Sequence, residues 1–227
     1  MNGIIHIPLT KQEVLQALKT ALSHNFIDNL RNRHPLVALD SKLRGYVGEL
    51  AFKKWANANQ VNFINSNVKD FSSGMDIDFV CKKNNGEFLY IELKTSLIPD
   101  VDQDIQELMN KRDIKLIQRN NKPIEELRGD LHVQLVFKQL RLRKDDWLRK
   151  QSIDLTTTVE NIYDQIAAYR YKKDCYLVGW IDKVSLVQQI NNKPEHLKRW
   201  KYGQRAFWIC NLEREAKQPE QLIHYLT

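Results

Sequence analysis

The sequence predicts an α/β fold, and three observations carry that expectation. Apolar residues recur at helical spacing through Ser41–Trp55. Two strand-like runs, Met75–Val80 and Phe88–Lys94, flank the turn Asn84-Asn85-Gly86 and pattern as a hairpin with one apolar and one acidic face. Farther on, the alternating segment Leu131–Phe137 and the apolar run Cys175–Ile181 read as further strands, separated by helix-spaced segments. Helix and strand periods interleaved in this way build a sheet covered by helices.

Taken in order, Thr10-Lys11-Gln12-Glu13 matches a capping box and opens a helix through Val14, Leu15, Leu18 and Leu22. The second helix gathers Leu43, Tyr46, Val47, Leu50 and Ala51 on one side, with Asp40 or Ser41 able to cap its start. Gly45 and Gly48 lie inside it. Each costs roughly 1 kcal/mol relative to alanine, a loss that close packing would offset. Glu49 follows the second glycine, where the helix comes closest to a neighbour. Val61–Ile64 is a short strand, and the hairpin comes next. Pro99-Asp100 starts a helix with Ile105, Leu108, Met109 and Leu116 on one side. Leu131–Phe137 is a half-exposed strand with His132 and Gln134 on one face, Val159–Tyr169 a helix, and Cys175–Ile181 a buried strand.

The hairpin carries the chemistry. A three-residue loop with Gly86 in the left-handed region places Lys83 opposite Glu87, Val80 opposite Tyr90, Asp78 opposite Glu92 and Asp76 opposite Lys94. Cys81, Phe79 and Ile77 then meet Leu89, Ile91 and Leu93. A two-residue loop would pair Asp78 with Leu93 and Phe79 with Glu92, mixing the faces, so the apolar pattern selects the register. Glu92 and Lys94 share the polar face because strand side chains alternate. Opposed residues have Cβ atoms about 4.5–5.5 Å apart, so Asp78 against Glu92 is a repulsion that a cation between them removes. Hard oxygen donors suit Mg²⁺. The competing interpretation is a solvated face on which Lys94 pairs with Glu92 or Asp76.

Together these residues resemble the PD-(D/E)xK nuclease superfamily, whose fold is called restriction-endonuclease-like. Gly45-Tyr46-Val47-Gly48-Glu49 is similar to the family's helix motif, Asp76-Ile77-Asp78-Phe79-Val80 to its first motif strand, and Ile91-Glu92-Leu93-Lys94 to its second. The likeness covers roughly residues 40–96, and neither aspartate is preceded by proline. It implies a central mixed sheet flanked by helices in αβββαβ order. It also implies one domain over residues 1–227, with the motifs in a core of about 40–140 and a C-terminal elaboration of about 141–227. The implied activity is Mg²⁺-dependent hydrolysis of DNA phosphodiester bonds, with Mn²⁺ able to substitute, in a restriction, repair or recombination setting. Asp78, Glu92, the Leu93 carbonyl and Glu49, directly or through water, would hold the metal, with Asp76 the second choice for the aspartate. Lys94 would orient water or stabilise charge on the phosphoryl oxygens. Double-stranded DNA is the implied partner, and a homodimer stays open. The alternatives are a module that keeps the fold and binds or assembles without cutting, and a metal-free interaction protein.

The whole chain agrees with such a partner. Lys and Arg total 35 against 28 Asp and Glu, a net charge of +7 that suits a polyanion. Two basic tracts interleave with aromatics: Lys138, Arg141, Arg143 and Lys144 near Trp147, and Lys198, Arg199 and Lys201 near Trp200 and Tyr202. Trp208, in the run Ala206–Ile209, reads instead as core. Cys81, Cys175 and Cys210 form no C-x-x-C pair and are odd in number, which fits a reduced setting, with Cys81 on the apolar hairpin face. No apolar run reaches the ~20 residues of a membrane span, so a soluble, cytoplasmic protein is expected. Zinc-type His spacing, a phosphate-binding G-x-x-x-x-G-K-[ST] loop and a G-x-S-x-G elbow are all missing.

Overall fold

Helix α1 (Lys11–Ser23) starts at the expected capping box. The Thr10 amide donates to Glu13 Oε2 at 2.6 Å, and the Glu13 amide donates to Thr10 Oγ1 at 3.2 Å. Helix α2 runs Pro35–Ala58, six residues earlier than the periodicity through Ser41 implies. Proline at the first turn needs no amide partner and has a helix-ready φ, so the helix begins there. Asp40 is therefore not a cap. It lies buried inside α2, 3.9 Å from Arg44.

The computed structural model describes residues 3–23, 34–65, 77–98, 104–118, 121–138, 144–167, 174–199 and 206–227. Its strands are β1 (Ile5–Pro8), β2 (Phe63–Asn65), β3 (Phe79–Lys82), β4 (Phe88–Leu97), β5 (Asp113–Ile117), β6 (Leu131–Phe137), β7 (Asp174–Asp182), β8 (Leu197–Arg199) and β9 (Ala206–Asn211). A six-stranded mixed sheet has the order β1-β7-β6-β4-β3-β2, and a smaller sheet the order β5-β9-β8. Among the described strands only β4 and β6 pair in parallel, and helix α3 (Ile105–Lys111) and β5 lie in the connection between them. The hairpin register is the expected one: Phe79 faces Ile91, Val80 faces Tyr90 and Cys81 faces Leu89. Gly86, at φ 88°, supplies the left-handed residue of the turn.

Alternation then sorts the large sheet into two faces. On one, Phe79, Cys81, Leu89, Ile91, Leu93, Leu131, Val133 and Leu135 pack under α1 and α2. The Phe79 ring lies 5.4 Å from Phe52 and 4.9 Å from Phe63. On the other, Val136, Val178 and Ile181 pack under the small sheet, α3 and helix α6 (Lys183–Asn192). Strand β6 is consequently buried on both faces along its whole length, not half exposed as its alternation implied. All three cysteines are buried and free, and Trp208 is in the second core. Leu116 belongs to β5, where Ile114 and Leu116 are buried on either side of exposed Lys115, and not to the preceding helix. That helix is capped by Asp104, whose carboxylate accepts from the Glu107 amide at 2.9 Å; the expected start at Pro99-Asp100 lies outside the described residues. The helix expected over Val159–Tyr169 is α5 (Val159–Ile162), after helix α4 (Lys144–Arg149), continued by a π-helical turn over Tyr163–Ala167. Among the described residues no helix is long and apolar enough to cross a membrane.

The two glycines of α2 differ. A Cβ at Gly48 would collide with the Thr95 methyl of β4, whereas one at Gly45 would meet nothing within 4 Å. Gly48→Ala should therefore destabilise the protein by about 1–3 kcal/mol through overpacking. Gly45→Ala should stabilise it by roughly 0.5–1 kcal/mol through helix propensity. Urea denaturation in a Thr95→Ala background checks the cause: with the methyl gone, Gly48→Ala should become neutral or favourable, and an undiminished penalty would refute the contact.

Asp182 ends β7 and caps α6. Its carboxylate accepts from the Ser185 amide and hydroxyl, each at 2.8 Å, and pairs with Lys217. The Lys217 ammonium lies 5.0 Å from the Trp180 ring centroid and 5.6 Å from that of Tyr225, in helix α7 (Glu220–Leu226), so the pair ties the C-terminal segment to the central sheet. Burial pushes the Asp182 carboxyl up, but the Lys217 and Ser185 contacts outweigh it and hold it below the usual aspartate range. Because the folded-state value is depressed, its contribution to stability is full above the unfolded value and is lost as pH falls through the folded one. Asp182→Asn, which can still cap, should thus cost stability at neutral pH and progressively less on acidification. A gap independent of pH in urea melts would contradict the pairing.

Candidate active site at the end of the acidic hairpin

Glu92 lies near the middle of β4 and is only 8% exposed. An ionised carboxylate that deep needs a partner for each oxygen. The first is the Lys94 ammonium on Oε1, reached because residues two apart on a strand share a face. The second is His132 Nδ1, 2.9 Å from Oε2. Parallel pairing of β4 with β6 puts Glu92 beside His132 and Lys94 beside Gln134. Burial raises the Glu92 carboxyl, yet the Lys94 charge and the His132 hydrogen bond overcome that and leave it below the usual glutamate range. The site thus holds a buried, ionised carboxylate at neutral pH.

Around this pair the backbone is adapted. Gly129, at φ 85°, lies against the His132 ring; a Cβ there would come within 3.3 Å of His132 Cε1 and 3.6 Å of Glu92 Cβ and Ile77 Cδ1. Gln134 donates to the Leu135 carbonyl at 2.8 Å and to Ser96 Oγ at 3.3 Å, beside an irregularity in the β6–β7 pairing. Such bulges commonly re-aim side chains next to functional sites. His132 itself is fully buried, and its Nε2 has no hydrogen-bond partner among the described residues.

Asp78 completes the cluster in an unexpected way. The β3–β4 ladder stops at Phe79, although the Asp78 amide still donates to the Ile91 carbonyl at 3.0 Å. The Asp78 carboxylate then accepts from the Leu93 amide at 2.7 Å, the position a continuing strand would have filled. Ile77 turns toward Gly129 instead of extending the apolar face against Leu93. One carboxylate thus accepts from a backbone amide, and the other is held by a lysine and a histidine.

The other expected site residues fall as follows. Glu49 is half buried on α2, next to the Gly48–Thr95 contact, and α2 packs on the Leu93 face of the sheet, opposite Glu92. Among the described residues no three His, Cys, Asp or Glu side chains form a group able to hold a metal ion. Mg²⁺, however, needs only one or two carboxylates and otherwise keeps water or substrate oxygens. Asp78, Glu92 and the carbonyl of Leu93, the residue after Glu92, are donors of that hard type. Asp76, Arg141, Arg143 and Lys201 lie outside the described residues, as do the side chains of Lys144 and Arg199. Lys138 and Lys198 are exposed. Sequence reasoning placed His132 on a polar face but not on Glu92, because strand-to-strand register across a long parallel connection leaves no local pattern. No known family model, curated protein or solved structure shows a significant match to this chain.

Proposed function

We propose that the chain is a metal-dependent nuclease that hydrolyses DNA phosphodiester bonds. The observation that carries this is the gathering of Asp78, Glu92 and Lys94 within one step of the Leu93 backbone, at the end of the hairpin. Element order supports it. Helix α2, strands β2, β3 and β4, helix α3 and, after β5 of the small sheet, strand β6 follow in sequence, with β2, β3, β4 and β6 neighbours in the large sheet and β4 parallel to β6. This order supports a likeness to the αβββαβ plan of the restriction-endonuclease-like fold.

In this proposal Asp78, Glu92 and the Leu93 carbonyl would hold Mg²⁺ or Mn²⁺. The bound ion supplies polarisation of the scissile phosphate and acidification of water. His132 fixes the Glu92 carboxylate through Nδ1, so the ligand oxygen is oriented in advance. Lys94, with its side chain 23% exposed, offers an ammonium at the rim for charge that builds on the phosphoryl oxygens. Glu49, carried by α2 on the other face of the sheet, is left out of this ligand set. The competing proposal, a module that binds or assembles without cutting, draws on the same facts differently: both carboxylates are already satisfied by protein donors.

Lys94→Ala and Glu92→Gln should abolish metal-dependent cleavage in protein that remains folded, while Glu49→Ala does less harm. Normal turnover by either of the first two, with native melting behaviour, would sink the assignment. Metal binding is checked separately by thermal melts. A ligand at 100 times its Kd stabilises the native state by about 2.7 kcal/mol, so Mg²⁺ or Mn²⁺ should raise the wild-type Tm. Asp78→Asn can still accept from the Leu93 amide and should melt near the wild type in EDTA, but without any metal-induced rise. A wild-type Tm indifferent to divalent metal, with a destabilised Asp78→Asn variant, would assign these carboxylates to a structural network alone.

A further inference from the structure

The covering of the large sheet is incomplete on the Glu92 face. Among the described residues, the small sheet, α3 and α6 pack over β6 and β7, while on the meander of β2, β3 and β4 Val80 and Glu92 are buried but Phe88 and Tyr90 are exposed. Four large apolar side chains are exposed among the described residues, and three of them are on this meander: Ile64 at 52%, Phe88 at 50% and Tyr90 at 43%. Phe88 and Tyr90 precede Glu92 by four and two residues on the same strand, so alternation points both rings to the face that carries Glu92 and Lys94. Lys82 is the ladder partner of Phe88, and its ammonium lies 5.9 Å from the ring centroid.

Resting on the nuclease proposal, we infer that the exposed Phe88–Tyr90 part of this face is a stacking platform for unpaired bases, and that the substrate has a single-stranded stretch leading into the Glu92–Lys94 site. The ring spacing argues for it. Two residues along a strand span about 6.8 Å, twice the ~3.4 Å rise of stacked bases in a duplex. Bases seated on both rings are therefore splayed from one another, which a paired duplex does not allow. A duplex presents phosphates and groove edges, whereas an unpaired strand presents base faces, which exposed aromatics bind. Lys82 and Lys94 supply positive charge beside and beyond the rings for the phosphates of such a strand.

The platform is also rigid. The Tyr90 amide donates to Asp130 Oδ2 at 2.9 Å, and the Tyr90 carbonyl accepts from the Asp130 amide at 2.7 Å. Rings on a fixed strand lose little freedom when a base settles on them. A second copy of the chain is a poorer occupant. Three exposed side chains interrupted by lysine fall well short of the 20–30 residues a side of a stable protein interface.

The test is fluorescence anisotropy of the full-length protein in EDTA, with labelled oligo(dT) and with a duplex of equal length. Phe88→Ala and Tyr90→Ala should each weaken oligo(dT) binding by about fivefold to 150-fold, with a much smaller change for the duplex. Tyr90→Phe should keep single-strand affinity and Tyr90→Leu should not, because stacking needs the ring rather than the apolar area. Equal losses on both probes, full affinity with leucine, or no binding of oligo(dT) by the wild type would each overturn the inference. So would a wild-type dimer in sedimentation that the alanine variants abolish, since the face would then be a self-association surface. Cleavage plays no part in these measurements. An active nuclease indifferent to Phe88→Ala and Tyr90→Ala would remove the platform and leave the catalytic proposal standing. Intact stacking in a protein that never cuts would do the reverse.

Discussion

Keeping Glu92 ionised inside the sheet is the constraint on which the rest of the site depends. An isolated carboxylate at that depth would be neutralised by its own desolvation. Lys94 reaches it through strand alternation, but His132 reaches it only because β4 and β6 run parallel in one particular register. That register in turn depends on the crossover through α3 and β5, and on Leu93, Val133 and Leu135 packing under α2. A change of one residue in pairing would carry His132 away from Glu92 and reverse the faces of β6. The fold and the charge are thus coupled: the sheet can bury Glu92 because its pairing delivers the partners.

The uneven covering of the sheet explains where such a site can exist. Under α1 and α2 the first face is closed, and burying each large apolar side chain there contributes about 1.5–3 kcal/mol. On the second face the small sheet stops short of the hairpin, so the row Glu92, Lys94, His132 and Gln134 lies along the boundary between core and solvent. Toward the core, His132 and Gln134 are buried and held by specific hydrogen bonds. Toward solvent, Lys94 and then Tyr90 and Phe88 are progressively open. A boundary of this kind combines a low-dielectric wall, which strengthens electrostatics, with access for a large polymer.

Much of this was legible in the sequence where the signal is local. The hairpin register, the capping box at Thr10, the β6 segment and the core position of Trp208 each follow from a short pattern and its period. Glu92 and Lys94 sharing a face needed only alternation. What failed was non-local. Asp78 opposite Glu92 looked like a bare repulsion, because nothing in the sequence shows that the ladder ends at Phe79 and frees the Leu93 amide for its carboxylate. Strand β6 looked half exposed because the small sheet that covers it comes from β5, β8 and β9, distant segments whose pairing no periodicity discloses. Leu116 was assigned to a helix because a strand after a short helix keeps apolar residues at spacings that fit both periods. The role of Gly48, in contrast with Gly45, is set by the one neighbour it meets, Thr95.

In the proposed function, a carboxylate pair and a lysine on this hairpin cut nucleic acid with a divalent metal. The most direct measurement incubates the purified wild-type protein with closed circular plasmid, single-stranded circles and branched DNA, in Mg²⁺ or Mn²⁺ and again with EDTA. Strand scission that appears with metal and stops on chelation is the expected result. DNA left intact on every substrate and with either metal, by protein that is folded and binds it, would contradict the claim.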